Sequence, residues 1–476
     1  MKRSIIWFKN DLRVHDNEAL VKAAQGNEIL PVFCFDPRSF GTTGFGFPKT
    51  GSLRAQFLFE SVLNLKKNLQ TLGADLLIKK GKPEEVIPEL VDDYTIDLVF
   101  TSKEITREET EIEQALKAKL ENKLSFVWQS TLFHINDIPF SKDQIPDVFT
   151  KYRKKIEKDF EVRKMFSSPV GLNLVTFEGS FDLPDPDSLF PFAIEKQTDK
   201  PAVLNFSGGE EMALKRLNEY IWQGDHLRHY KQTRNELLGA DYSSKFSPWL
   251  ANGSLSPRKV YYEVKKYENE RTQNSSTYWL IFELMWRDYF RFSAWKYGDK
   301  IFRSSGIQGK NRNWHTNRDK FTRWAEGNTG IPFIDANMRE LKATGYMSNR
   351  GRQNVASFLA QNLNLDWRMG AEYFESQLVD YDPCSNYGNW AYNATVGHDP
   401  RNRYFNIVHQ SKTYDSDGTY IRTWIPELKK VPNEFIHEPH KMFPEQQALY
   451  NIEIGKIYPE PMINLEESYE EIKARN

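Results

Sequence analysis

The chain has 476 residues, a formal net charge of -1, 39% hydrophobic residues and a mean hydropathy of -0.65. That length implies two or more core-forming units. The balanced charge excludes a globally basic nucleic-acid binder, leaving room only for a local patch, and no apolar run approaches the roughly 18 residues of a membrane span.

The N-terminus, MKRSIIWFKNDLR, enters a strand-like run at once and has neither a signal-peptide core nor a transit-like segment, so a cytoplasmic location is expected. Residues 5–8 and 30–35 read as strands, with Asp16 or Asn17 capping a helix between them. A helix over 52–72 ends at Gly73. Strands near 76–78, 98–100 and 126–128 then alternate with helices near 84–91 and 106–120. This alternation predicts a parallel sheet covered by helices on both faces. After the first strand comes Lys9-Asn10-Asp11-Leu12-Arg13 rather than a Gly-rich turn, so a nicotinamide dinucleotide site is not expected. Residues 169–207 are rich in Pro, Asp, Ser and Gly and read as a long surface connection. Helical signals resume at a capping-box pattern, Ser207 to Glu210, and continue over 277–296, 331–342, 354–362 and 369–379, with no strand expected beyond Gly208. Cys34 and Cys384 are far apart. The pairs His226/His229 and His437/His440 lack a ligand context, so no metal site is expected.

Ten of the 12 Trp lie from Trp222 onward, which puts any aromatic chemistry in the second half. Four constellations stand out there. Ser243, Ser244, Lys245, Phe246 and Ser247 precede a helical stretch and suit either a phosphate or an ordinary capped turn. Glu283 and Arg287 are four apart on an aromatic helix. They either pair with each other or serve a partner. Arg350 and Arg352 are either solvated or paired with Asp380 or Asp382. The stretch DYDPCSNYGNW at 380–390 reads as a polar loop able to grip the edge of a flat heterocycle.

Taken in order, these motifs resemble the photolyase/cryptochrome family, DASH type. The resemblance runs from IIWFKNDLRVHDNEAL at residue 5 to RTWIPELKKVP at residue 432. It is carried by TLFHIND at 131–137, IPDVFTKYRK at 145–154, FELMWRD at 282–288, GYMSNRGR at 345–352 and the 380–390 stretch. It implies an α/β antenna domain over 1–135, a connector over 136–207 and an all-helical FAD-binding domain over 208–476. Tyr230, Ser243, Ser244, Lys245, Phe246, Ser247, Glu283, Arg287, Asn349, Arg352, Asp380, Asp382 and Asn386 would hold a U-shaped FAD, with Asn386 at flavin N5 and Arg352 paired with Asp380. Trp390, Trp367 and Trp314 would form an electron-transfer chain to the surface.

The resemblance further implies light-driven repair of cyclobutane pyrimidine dimers. Glu283, Trp286, Asn349, Gln353 and Tyr392 would act on the dimer, and Arg401 and Arg403 would contact DNA phosphates. Tyr392 and Gln353 stand where duplex-repairing relatives often carry Trp and Met, which favours single-stranded DNA. RNA or looped duplex are further partners it implies, with no membrane and a monomeric state. Glu104 is the candidate contact for a 5,10-methenyltetrahydrofolate antenna, or else an ordinary Glu at a strand end. A light-signalling protein that binds nucleic acid without repair is the alternative, and a thermal flavin oxidoreductase a second one.

Overall fold

The computed structural model describes residues 2–194, 204–399, 401 and 403–475; residues 195–203, inside the expected connection, lie outside the described residues. The N-terminal unit is built on β1 (Lys2–Phe8), β2 (Asn27–Phe35), β3 (Leu77–Lys80), β4 (Leu98–Ser102) and β5 (Leu124–Val127). They form a parallel sheet in the order β3-β2-β1-β4-β5. The period-two pleat of β1 explains why both faces are covered. Ile6 and Phe8 pack with helices Glu18–Ala24 and Ser52–Thr71, while Ile5 and Trp7 pack with helices Pro83–Asp93 and Arg107–Leu120. Asn17 caps the first helix, accepting from the Leu20 N–H at 3.0 Å.

The stretch expected to be a surface connection is partly stitched into this unit. β6 (Asn173–Leu174) pairs with β2 at Glu28 and Ile29, and Leu172, Val175, Leu189 and Phe190 are buried. Scattered apolar residues and backbone pairing do this without any periodic pattern, so the sequence gives no sign of it. The arrangement also accommodates Pro31. β6 pairs with β2 only up to Ile29 and β3 only from Val32, so the residue without an N–H falls where that edge has no ladder partner.

From residue 204 onward the described chain is helical. The capping box expected at Ser207–Glu210 does not form. Gly209 is the N-cap of helix Glu210–Asn218 and provides no side-chain cap. Glu210 instead reaches across to the first unit and accepts from the Val14 and His15 N–H groups at 2.8 and 3.0 Å. Those two backbone donors are otherwise orphaned in the turn after β1, so the carboxylate is better used there. Other bridges have the same logic. Asp288, fully buried on helix Ser275–Tyr297, accepts from Leu132 and Phe133 N–H at 3.0 and 2.9 Å. Arg258 donates through Nε to Asp16 at 2.9 Å, and both residues are buried.

Truncating Asp16 leaves the Arg258 guanidinium buried without its counter-charge. Asp16→Ala should therefore cost about 3–5 kcal/mol of stability, read from denaturant unfolding; a loss below ~1 kcal/mol would mean that water or another carboxylate replaces it. Among the described residues no helix is long and apolar enough to cross a membrane.

Candidate functional site

The 380–390 stretch is a helix rather than a polar loop, and this change organises the site. Asp382 is its N-cap, accepting from Ser385 N–H at 2.7 Å, Pro383 fills the first turn, and the helix runs over Pro383–Asn393. Asp382, Ser385, Asn386, Asn389, Trp390 and Asn393 then recur at three- and four-residue steps and all face one cavity of about 290 Å³. The opposite wall repeats the pattern on helix Asn349–Ser357, with Asn349, Arg352, Gln353 and Ala356, and on helix Ser275–Tyr297, with Leu280, Glu283, Leu284 and Arg287. Tyr230, Tyr242 and the 243–247 segment close one end. Every residue expected to hold the cofactor lines this single cavity.

The charged groups are arranged for a guest. Asp380 Oδ2 accepts from Arg352 at 2.8 Å and from Ser247 Oγ at 2.7 Å, while its Oδ1 is buried with no partner. Lys245 Nζ and Gln353 Oε1 are likewise buried without a hydrogen-bond partner, the ammonium lying 3.7 Å over the Tyr242 ring. Buried polar atoms in native folds are almost always hydrogen-bonded, so this set calls for a polar ligand and fits a folded dinucleotide. Asn386 donates its amide nitrogen to Ala371 O at 2.9 Å, which leaves its carbonyl oxygen as an acceptor. Burial pushes Lys245 down to about 7, opposed by Glu340. Burial would raise Asp382, but the Arg291 and Arg287 guanidiniums outweigh it and hold this carboxyl below its usual range.

The intrahelical pair Glu283–Arg287 does not form. Arg287 donates to Ser130 O at 2.6 Å and Leu250 O at 2.9 Å, and Glu283 pairs with Arg234 instead. The Leu250 carbonyl lies in the last turn of helix Ser247–Ala251, where helix-end carbonyls need an outside donor, and the guanidinium supplies it. Burial raises the Glu283 carboxyl, with Arg234 opposing. Arg234, Tyr242, Asn389 and Asn393 also line the cavity without having been singled out in the sequence. The two asparagines belong to the three-and-four stripe and were findable; Arg234 carries no local signal.

Trp286 and Tyr392 lie outside the cavity lining and meet edge to face at 6.4 Å and 90°, so they are not parallel plates of a sandwich. Phe149 already stacks on Trp286 at 3.7 Å, which fixes the indole plane. Arg401 and Arg403 are exposed and share the buried Asp399 carboxylate, at 3.6 and 2.8 Å.

The three chain tryptophans grade from inside to outside. Trp390 lines the cavity, Trp367 is fully buried and Trp314 is half-buried. Gly370, one turn beyond Trp367, has no Cβ to strike the Trp390 ring, so that indole lies directly on the helix that begins with Trp367. Trp367 and Trp314 each donate Nε1–H to Ser304 O at 3.1 Å, which brings the two indoles together.

A second cavity of about 210 Å³ opens at the carboxyl ends of β1 and β4, where the strand order reverses. Glu104 lines it, accepts from Asn10 Nδ2 at 3.3 Å, and is pushed up to about 7 by burial against the pull of Lys9 and Arg291. Arg291 Nε is buried there without a partner, and Tyr381 and Asp382 line both cavities.

Residues 4–170 match the family model described as DNA photolyase, and residues 279–476 match the FAD binding domain of DNA photolyase. The chain is 48% identical over 473 residues to cryptochrome DASH of Gloeobacter violaceus, covering 98% of this chain and 94% of that one. It superposes on the crystal structure of a Synechocystis cryptochrome with a TM-score of 0.97 at 48% identity, over 100% of this chain and 99% of the other. It also superposes on an archaeal photolyase from Sulfolobus tokodaii, described with two FAD molecules and a novel light-harvesting cofactor, with a TM-score of 0.79 at 27% identity and 99% coverage of both. A parallel sheet, a helical unit with a cavity of unmet polar groups, and these similarities agree: the chain belongs to the photolyase/cryptochrome family, among the DASH cryptochromes.

Proposed function

We propose that this chain holds FAD in the larger cavity and uses blue or near-UV light to split cyclobutane pyrimidine dimers, mainly in single-stranded DNA. The observation that carries this reading is the set of buried polar atoms without hydrogen-bond partners, Asp380 Oδ1, Lys245 Nζ and Gln353 Oε1, on the walls that also present Trp390. When bound and reduced, FAD supplies the photoexcited electron that opens the dimer and receives it back, with no net redox change.

The residues supply position and proton control. Tyr230 and Ser243 to Ser247 would hold the ribityl–phosphate side, and Glu283, Arg287 and Asn349 would complete the pocket. Arg352 would hold Asp380 in place against the ring, and the Asn386 carbonyl would accept a hydrogen bond from a proton held at N5. Glu283, whose burial strengthens its hold on a proton, would hydrogen-bond the dimer and share that proton with it. A flipped base would stack on Trp286 or Tyr392 and meet the other edge-on. Arg401 and Arg403 would bind the flanking phosphates. Extruding bases costs about a few kcal/mol in duplex and least where the strand is already single, which supports the single-strand preference.

We assign the smaller cavity to an antenna, with 5,10-methenyltetrahydrofolate as the candidate and Glu104 and Asn10 facing its pterin edge. Its place at the switch point and the unpartnered Arg291 Nε support a polar heterocycle there.

The deciding experiment illuminates the FAD-reduced protein with a dimer-containing single-stranded oligonucleotide. Dimers should disappear in the light, persist in the dark, and disappear more slowly from a duplex of the same sequence. Intact dimers after illumination reject repair and leave the light-signalling alternative; turnover in the dark with a soluble donor points to a thermal oxidoreductase.

Lys245 adds a pH dependence. Below about 7 the lysine is already charged and FAD binding takes up no proton. Above that point a diphosphate must draw a proton onto it, so affinity should fall by up to about tenfold per pH unit. Titrations of the apoprotein with FAD on either side of neutrality measure the slope, and Lys245→Met should flatten it. An equal slope in the variant would place the diphosphate elsewhere.

A further inference from the structure

The two cavities share a wall that is one helical turn thick. Tyr381 and Asp382 line both. Pro383 and Cys384, which open helix Pro383–Asn393, line only the smaller cavity, and Ser385 and Asn386, which follow them, line only the larger. Successive helical residues point about 100° apart, so a single turn faces both spaces.

Asp382 fixes that turn with both of its oxygens. Oδ1 accepts from Ser385 N–H at 2.7 Å, and Oδ2 accepts from Arg291 Nη2. Both side chains of this ion pair are buried. Arg291 lines the smaller cavity, yet Glu283 and Arg287, at four-residue steps before it on helix Ser275–Tyr297, line the larger. One stripe of that helix therefore runs from one space to the other. The Arg291 guanidinium is only partly engaged, because its Nε is buried without a hydrogen-bond partner.

We propose that the Arg291–Asp382 pair couples the two cavities, so that a heterocycle accepting from Arg291 in the smaller one tightens FAD binding in the larger, and FAD tightens the heterocycle in return. The proposal rests on the assignment of FAD and an antenna to these cavities. A guanidinium is planar and rigid, so its donors move together. A carbonyl oxygen or ring nitrogen that accepts from Nε fixes the plane from a second side and holds Nη2 on Asp382. Asp382 then keeps the cap closed, and the capped turn keeps Ser385 and Asn386 on the wall where the flavin would lie. FAD acts through the same parts in reverse. Seated against Asp382 and Asn386 it orders the turn, and the second ligand meets Arg291 already in place. The coupling is one free energy, so the factor must be equal in both directions, and about fivefold or more is expected.

The test is equilibrium dialysis of the full-length apoprotein in the dark. FAD is titrated with and without saturating 5,10-methenyltetrahydrofolate, and the folate with and without saturating FAD. Each ligand should lower the dissociation constant of the other by about fivefold or more, by the same factor. Arg291→Lys keeps a positive charge for Asp382 but has no Nε–H, so the factor should fall toward one while both ligands still bind. A merely structural arginine would weaken both ligands and leave the factor intact, and that result overturns the proposal. So does a factor of one or less in the wild-type chain when both ligands bind, which needs no variant to fold. Failure of the folate to bind at all, with or without FAD, sinks the antenna assignment and this coupling with it. Failure of FAD to bind sinks the light-driven reading itself.

Discussion

Asp380→Asn should leave a folded protein that binds FAD about 10- to 100-fold more weakly, because a hydrogen bond to a charged group is worth about 1.5–3 kcal/mol. The substitution keeps the size of the side chain and one acceptor oxygen for Arg352 and Ser247. What it removes is the charge, and with it the demand of the second oxygen, which is buried without a partner in the protein. Arg352 also donates to Met347 O at 2.9 Å, so its guanidinium stays anchored and the fold is not the first casualty. Recovery of flavin fluorescence on dilution reads the affinity, and a thermal melt of the apoprotein separates cofactor loss from unfolding. An unchanged dissociation constant would mean that the cavity turns another wall to the polar edge of the ring.

The sheet was legible because its strands are apolar runs buried on both faces, and the five expected strands fall where the described ones do. What stayed hidden was whatever depends on distant partners. Glu210 reads as a capping-box residue from its neighbours alone, yet Val14 and His15 claim it from across the molecule. Glu283 and Arg287 read as a helical pair, yet each finds a partner on another segment. In the site, the residues that the resemblance assigns to the cofactor line one cavity, but the 380–390 stretch reads as a loop and is a helix. Its amides and carboxylates have weak helix propensity, and what makes the helix is a local device, Asp382 as cap with Pro383 after it. Counting polar residues at three- and four-residue steps exposes the inward face: a buried helix with a polar stripe has no reason to exist unless something polar lies against it.

That stripe also carries Trp390, whose replacement by Phe should cost most of the light-driven reduction of bound FAD. The phenyl ring would keep much of the packing on Gly370, Phe374 and Trp324, and stability should fall by only about 1–3 kcal/mol for the cavity left behind. The redox change is far larger, since a phenyl ring is much harder to oxidise than an indole and among the described residues no other tryptophan lines the cavity. Trp324 is a poor detour: apart from Trp390 at 6.1 Å, its ring neighbour on the cavity wall is Phe374 at 6.3 Å, whose phenyl ring is as hard to oxidise as the substituted one. Photoreduction with an external electron donor should therefore slow by at least an order of magnitude. Dimer splitting by chemically reduced protein should stay close to wild type, because in the proposed reaction that electron would pass directly to the substrate without using the chain. The two assays must separate for the assignment to hold. Equal losses in both would show that the substitution disturbs the cofactor's seat, and an unaltered rate of photoreduction would show that electrons enter through another wall of the cavity.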